Sequence, residues 1–119
     1  MDLLKELENL GVNTKEGLER VMGDKDLYLM MLNMFVDSVS NNHITPDEFD
    51  GSNLEELISK VHTLKGTTGN LSMIPLFTAY NESLMLLREG QASQARTAYE
   101  KALPVQEKII ECIIKHKNS

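Results

Sequence analysis

The run Val61-His62-Thr63-Leu64-Lys65-Gly66-Thr67-Thr68-Gly69-Asn70-Leu71 decides how the rest of the chain is read. Together with the residues just before it, its apolar positions recur at helical spacing: Leu54, Leu57, Ile58, Val61 and Leu64, then Thr68 and Leu71. At roughly 100° per residue, Leu57, Val61, Leu64 and Thr68 fall in a sector about 60° wide, and His62 points about 140° from its middle. Glu55, Ser59, Gly66 and Gly69 lie on the His62 side, and Lys65 follows His62 at i+3. The helix predicted over 53–71 therefore has an apolar back. Its front carries one imidazole, one nearby ammonium and two residues without side chains.

A glycine inside a helix costs about 1 kcal/mol relative to alanine. Gly66 and Gly69 lower stability and fill no core, but they leave room for something large to approach the backbone and reach the ring. The plainer alternative is that both glycines fray or end the helix and that His62 is an ordinary surface histidine. Spacing alone leaves both open.

The segments on either side also read as helix. Residues 1–23 give two short helices: Leu3, Leu4, Leu7 and Leu10 stop at Gly11, and a second begins at Asn13, with Glu16 placed for a capping box. Leu18, Val21 and Met22 form the apolar face of the second, and Gly23 ends it. Both are too short to be stable alone and are expected to lie as a lid on the end of a bundle. Asp24 caps a helix over 25–41, with Tyr28, Met31, Leu32, Phe35 and Val39 as its buried stripe. His43 to Gly51 is the one long connection, a loop with room to be mobile. Ser52 or Asn53 caps the His62 helix, and Ser72 caps the next, 73–89, which has Pro75 in its first turn and Leu76, Tyr80, Leu84 and Leu87 inside. The last, 92–117, turns Ala95, Tyr99, Ala102, Ile109 and Ile113 inward, is kinked or interrupted at Pro104, and ends on Lys115, His116 and Lys117. No alternating strand pattern competes. The expected fold is all-α: a single domain, 1–119, built as an antiparallel up-down four-helix bundle over 24–117 with the two short helices beside it.

Composition bounds the function. Apolar residues are 41%, charged residues 25% and tryptophan is absent, so the core of this 119-residue chain must be mostly aliphatic, as helix-on-helix packing prefers. Seven methionines are read first as core filling and second as a soft partner surface. A net charge of −6 disfavours nucleic acid and anionic membrane as partners. No apolar run approaches the ~18 residues of a membrane span, and no secretory signal opens the sequence. Cys112, the single cysteine, fits a reducing compartment, so a cytoplasmic location is expected. It is read as buried and inert. Paired acids such as Glu6-Glu8 and Glu55-Glu56 are read as solvated faces.

Several chemistries have no residues to carry them. Lys65-Gly66-Thr67-Thr68-Gly69 is not a phosphate loop, because the Gly-Lys order is reversed and no strand precedes it. There is no His-Glu-x-x-His pair and no Gly-x-Ser-x-Gly elbow. His43, His62 and His116 share no ligand spacing, so no metal site is expected. What remains is one imidazole with a cation beside it. A neutral imidazole is a good nucleophile near pH 7 and can attack a phosphoryl group. Phosphoryl transfer needs mostly positioning and charge neutralisation, and Lys65 can supply the latter. The donor and any metal must come with a partner.

The run His62-Thr63-Leu64-Lys65-Gly66-Thr67-Thr68-Gly69-Asn70-Leu71 resembles the signature of histidine-containing phosphotransfer (HPt) domains of phosphorelays, which typically read His-x-Leu-Lys-Gly, small residues, then Asn-Leu or Asn-Ile. Gly17 to Tyr28, followed by Leu32 and Phe35, resembles the usual entry into the domain, and Leu76 and Arg88-Glu89-Gly90 resemble its later part, so the likeness spans about 10 to 110. Ser72 stands where the family often has Gly, so the turn after the helix is expected to be capped differently, and Ser83-Leu84 replaces a frequent Leu-Glu pair, which is expected to alter packing of the third long helix. The resemblance implies that His62 takes a phosphoryl group on its outer ring nitrogen from a receiver-domain aspartyl phosphate and passes it to another receiver. It implies that Lys65 stabilises the phosphohistidine and that Gly66 gives the partner access. The implied partners are response-regulator receiver domains and a hybrid sensor histidine kinase. The implied cofactor requirement is none beyond Mg²⁺ supplied by the receiver. The chain would be a monomeric phosphocarrier without kinase activity of its own. Ile58, Ser59, Thr63, Gly66 and Gly69, with residues of the 25–41 helix, are the expected docking surface. Two other readings stand beside this one: a helical adaptor never modified at His62, and the first domain of a chemotaxis-type histidine kinase.

Overall fold

Three short polar side chains near the amino terminus each start a helix. In the computed structural model, which describes residues 2–117, Asp2 caps α1 (Leu3–Asn9), Asn13 caps α2 (Thr14–Arg20) and Asp24 caps α3 (Lys25–Asn41). Asn13 and Asp24 each accept a backbone N–H three residues on, at 3.1 and 3.0 Å. Each such cap contributes about 1 kcal/mol. The capping box expected at Asn13 and Glu16 forms only by half. The Asn13 N–H donates instead to the Ser72 carbonyl at 2.9 Å, beside an isolated antiparallel bridge between Val12 and Met73. Pairing of this kind is non-local and leaves no alternating pattern in the sequence. Among the described residues there is no longer strand, and no helix is long and apolar enough to cross a membrane.

The three remaining helices are α4 (Leu54–Asn70), α5 (Ile74–Arg88) and α6 (Ala92–Lys117). α5 packs most extensively against α6 and α4, and α3 touches both α4 and α6. Their inner faces share one core that includes Tyr28, Leu32, Phe35, Leu64, Leu76, Tyr80, Leu84, Tyr99 and Ile109. Burying one such aliphatic side chain contributes about 1.5–3 kcal/mol. Pro104 does not interrupt α6: it sits exposed on the outer side of a helix that continues through it.

The 42–53 connection is pinned rather than loose. Ile44 and Phe49 are buried, and a short 3-10 turn, Pro46–Glu48, lies between them. The Tyr99 hydroxyl donates to the Ile44 carbonyl at 3.1 Å, and its ring packs against Phe49 with centroids 5.3 Å apart. Lys60 of α4 donates to the His43 carbonyl at 2.9 Å and pairs with Glu48 at 3.0 Å. Asn53 stands at the N-cap of α4, but its side chain makes no cap hydrogen bond: its amide donates to Glu56, and Ser52 bonds Asp50.

α1 and α2 are held by named contacts. The Tyr28 ring is fully buried against Gly17, and its hydroxyl donates to the Leu71 carbonyl at 2.9 Å. Burial pushes the phenol up to about 12, so it remains a donor at neutral pH. A Cβ on Gly17 would lie 2.5 Å from Tyr28 Cε1. Gly17→Ala should therefore destabilise the fold by about 1–3 kcal/mol through overpacking, although alanine is the better helix former. Urea unfolding checks this; a stabilised variant would mean that the ring is free to move.

Three further expectations fail here. Met22 does not face the core: it is 96% exposed at φ 56°, beyond the end of α2. Four of the six described methionines (Met22, Met30, Met34 and Met85) are exposed, so core filling is the minority use. Glu6 is not a solvated acid but half-buried against α6.

Candidate functional site

α4 runs unbroken through both glycines to Asn70, so neither glycine ends it. Its buried residues are Leu57, Val61, Leu64 and Thr68, the sector that the periodicity marks. Three threonines on its later turns return their hydroxyls to the preceding turn. Thr63 donates to the Ser59 carbonyl at 3.0 Å, Thr67 to the Thr63 carbonyl at 3.0 Å and Thr68 to the Leu64 carbonyl at 2.8 Å. Those hydroxyls are thereby satisfied along the helix itself.

On the opposite side His62 is exposed. Among the described residues it makes no hydrogen bond or ion pair. Lys65, one turn on, is half-buried, and among the described residues no carboxylate lies within ion-pair distance of it. Both groups are therefore available to a ligand without first breaking an internal bond. Gly66 is exposed, and a Cβ placed there would meet nothing within 4 Å. Gly69 is different. A Cβ there would lie 3.1 Å from the Phe77 ring of α5, so this glycine serves α4–α5 packing as well as bordering open space beside α5. Ser59 and Thr63 are exposed, whereas Ile58 is half-buried against the core and offers only an edge.

An open depression of about 430 Å³ adjoins this face, bounded by Lys65, Gly66 and Gly69 of α4, Arg20 of α2, and Ile74 and Phe77 of α5. Its far wall depends on Ser72, which does not cap α5 as expected. Ser72 is buried at φ 56°, a left-handed conformation that glycine adopts without strain. Serine holds it through its hydroxyl, which donates to Glu16 Oε1 at 2.9 Å and accepts from Arg20 Nε at 3.3 Å. Arg20 also pairs with Glu16 at 2.9 Å. Hydrogen bonds from Arg20 and then Ser72 hold the Glu16 carboxyl below the usual carboxylate range. The acid on this rim is thus already neutralised by Arg20. Sequence reasoning missed this network. The one available signal was Ser72 itself, standing where a glycine was expected.

On the α3 side, Met31 and Met34 line a second cleft, of about 160 Å³, with Thr67, Asn70 and Leu71. Met30 and Met34 are 53% and 58% exposed. Through Met31 and Met34, polarisable, flexible side chains thus flank the helix that carries His62. Comparison of the chain with protein-family models, with curated proteins and with solved structures finds no match.

Proposed function

We propose that the chain is a histidine phosphotransfer module of a His–Asp phosphorelay, with His62 as the residue that carries phosphate. The observation that supports this most is the exposed His62 ring, without a hydrogen-bond partner among the described residues, beside the bare surface of Gly66. The lone pair of its outer ring nitrogen attacks the phosphorus of a receiver's aspartyl phosphate. An N–P bond forms, the P–O bond to aspartate breaks, and the carboxylate leaves with the electron pair. The ring proton stays on the other nitrogen. The reverse sequence delivers the group to a second receiver. Mg²⁺ belongs to the receiver in both steps, and Lys65 offsets charge on the phosphoryl oxygens.

The fold suits such a carrier. The turns 71–73 and 89–91 are short, which favours antiparallel neighbours, so the four long helices are assigned as an up-down bundle with α4 as one rigid rod. Met30 and Met34 offer an apolar platform to a receiver's rim. The exchange complex is expected to be transient, between a monomeric carrier and its receivers in the cytoplasm.

Two variants test the roles separately. Gly66→Ala should stabilise the fold by up to about 1 kcal/mol, because the site is open and helical. It should also slow transfer from a phosphorylated receiver, because a methyl now stands where the partner approaches. Equal or faster transfer would remove the access role. Lys65→Ala should leave helix content unchanged and slow transfer about tenfold, the equivalent of losing one charge-assisted contact of about 1.5 kcal/mol. Unaltered rates would remove Lys65 from the mechanism.

A further inference from the structure

The other end of the chain holds a group that phosphotransfer does not use. Cys112 and His116 are one helical turn apart on α6, and Glu6 of α1 reaches between them. The Cys112 thiol donates to Glu6 Oε2 at 3.1 Å, and His116 Nε2 lies 2.7 Å from the same oxygen. The three candidate donor atoms all lie within 4.8 Å of one another. We propose that Glu6, Cys112 and His116 form a binding site for a borderline divalent metal ion of the Zn²⁺ class, which fastens α1 to the last turns of α6.

The donor set selects the ion. One thiolate, one imidazole and one carboxylate suit Zn²⁺ or Co²⁺, whereas Mg²⁺ and Ca²⁺ require all-oxygen shells. In a tetrahedral zinc site, neighbouring ligand atoms sit about 3.3–3.6 Å apart, given bonds of about 2.0–2.3 Å. The two contacts to Glu6 Oε2 need to open by about half an ångström to admit the ion, with all three donor atoms starting within 4.8 Å of one another. Three protein ligands leave the fourth position to water. A route in exists: an open cleft of about 360 Å³ is lined by Glu6 and Cys112.

The charge on Glu6 favours this assignment. Hydrogen bonds from Cys112 and then His116 hold the Glu6 carboxyl below its usual range, so an anion is already in place. Burial, and then Glu6 itself, push the Cys112 thiol up to about 11, so it is protonated at neutral pH. Metal binding would release that proton to solvent and replace the S–H···O bond with a metal–sulfur bond. Lys115 opposes the ion, but it stands 3.9 Å from the other carboxylate oxygen and is 74% exposed, free to swing into water.

The test uses the tag-free, reduced full chain titrated with Co²⁺. A thiolate-to-cobalt charge-transfer band should appear, saturate at one equivalent and disappear on addition of Zn²⁺. Cys112→Ser should abolish the band, and His116→Gln should weaken Co²⁺ binding at least about tenfold. Hydrogen exchange at the α1 amides should slow with Zn²⁺ in the native chain and not in Cys112→Ser. Absence of the band in the native chain overturns the proposal and leaves the trio as a hydrogen-bonded tie between helices. So does a band that His116→Gln leaves unchanged, which means adventitious binding to the thiol. Neither result bears on His62, so this site and the phosphotransfer reading stand or fall separately.

Discussion

His62→Gln is expected to fold like the native chain and to take up no phosphate from any receiver. The ring is exposed and makes no hydrogen bond among the described residues, so its removal breaks no internal contact. Glutamine is a good helix former, and a surface change of this kind shifts stability by no more than about 0.5 kcal/mol. Chemically the effect is complete. An amide nitrogen, its lone pair delocalised into the carbonyl, does not attack phosphorus, and no neighbouring group on the face can replace the imidazole. The Thr63 and Thr67 hydroxyls are engaged with backbone carbonyls. The check pairs a urea unfolding curve with a transfer assay reading acid-labile phosphate. Phosphate on the variant would place the acceptor elsewhere. A variant that unfolds would mean that the ring carries structure.

The second large effect is on stability. Tyr28→Ala should cost about 3–5 kcal/mol, the range for removing a fully buried large side chain. Against the total of about 5–15 kcal/mol expected for a domain, that is a severe loss. Tyr28 joins three elements: its ring lies on Gly17 of α2, its backbone belongs to α3, and its hydroxyl holds the carbonyl of Leu71 at the end of α4. Tyr28→Phe keeps the ring and loses only the hydrogen bond, for about 1–2 kcal/mol. Measured by urea unfolding, the two variants should separate clearly. Equal losses would mean that the hydroxyl, and not the ring, supplies the contact.

What could be read from the sequence is what α-helices encode locally. The burial of Leu57, Val61, Leu64 and Thr68, and the exposure of His62, follow from a period of 3.6 residues within one element. The caps at Asn13 and Asp24 are local too. Two of the misses are contacts between distant parts of the chain. Ser72 with Glu16 joins residues 56 apart, and Glu6 with His116 joins residues 110 apart, so no window of sequence contains either. Gly66 and Gly69 look alike in the sequence; only the Phe77 ring of α5 tells open surface from close packing. Met22 was misplaced because the helical stripe was carried past the end of α2 at Arg20, onto a residue whose own backbone is left-handed. Of the two outcomes open at Pro104, a break does not occur: α6 continues through it, with the residue on the solvent side.

The most direct measurement incubates the native chain with a panel of receiver domains phosphorylated on aspartate, in Mg²⁺, and maps any label by mass spectrometry under alkaline conditions. The expected result is a single acid-labile, alkali-stable phosphate on His62, returned to an unphosphorylated receiver added afterwards. Label on His43 or His116 instead, or none from any receiver in the panel, would contradict the account.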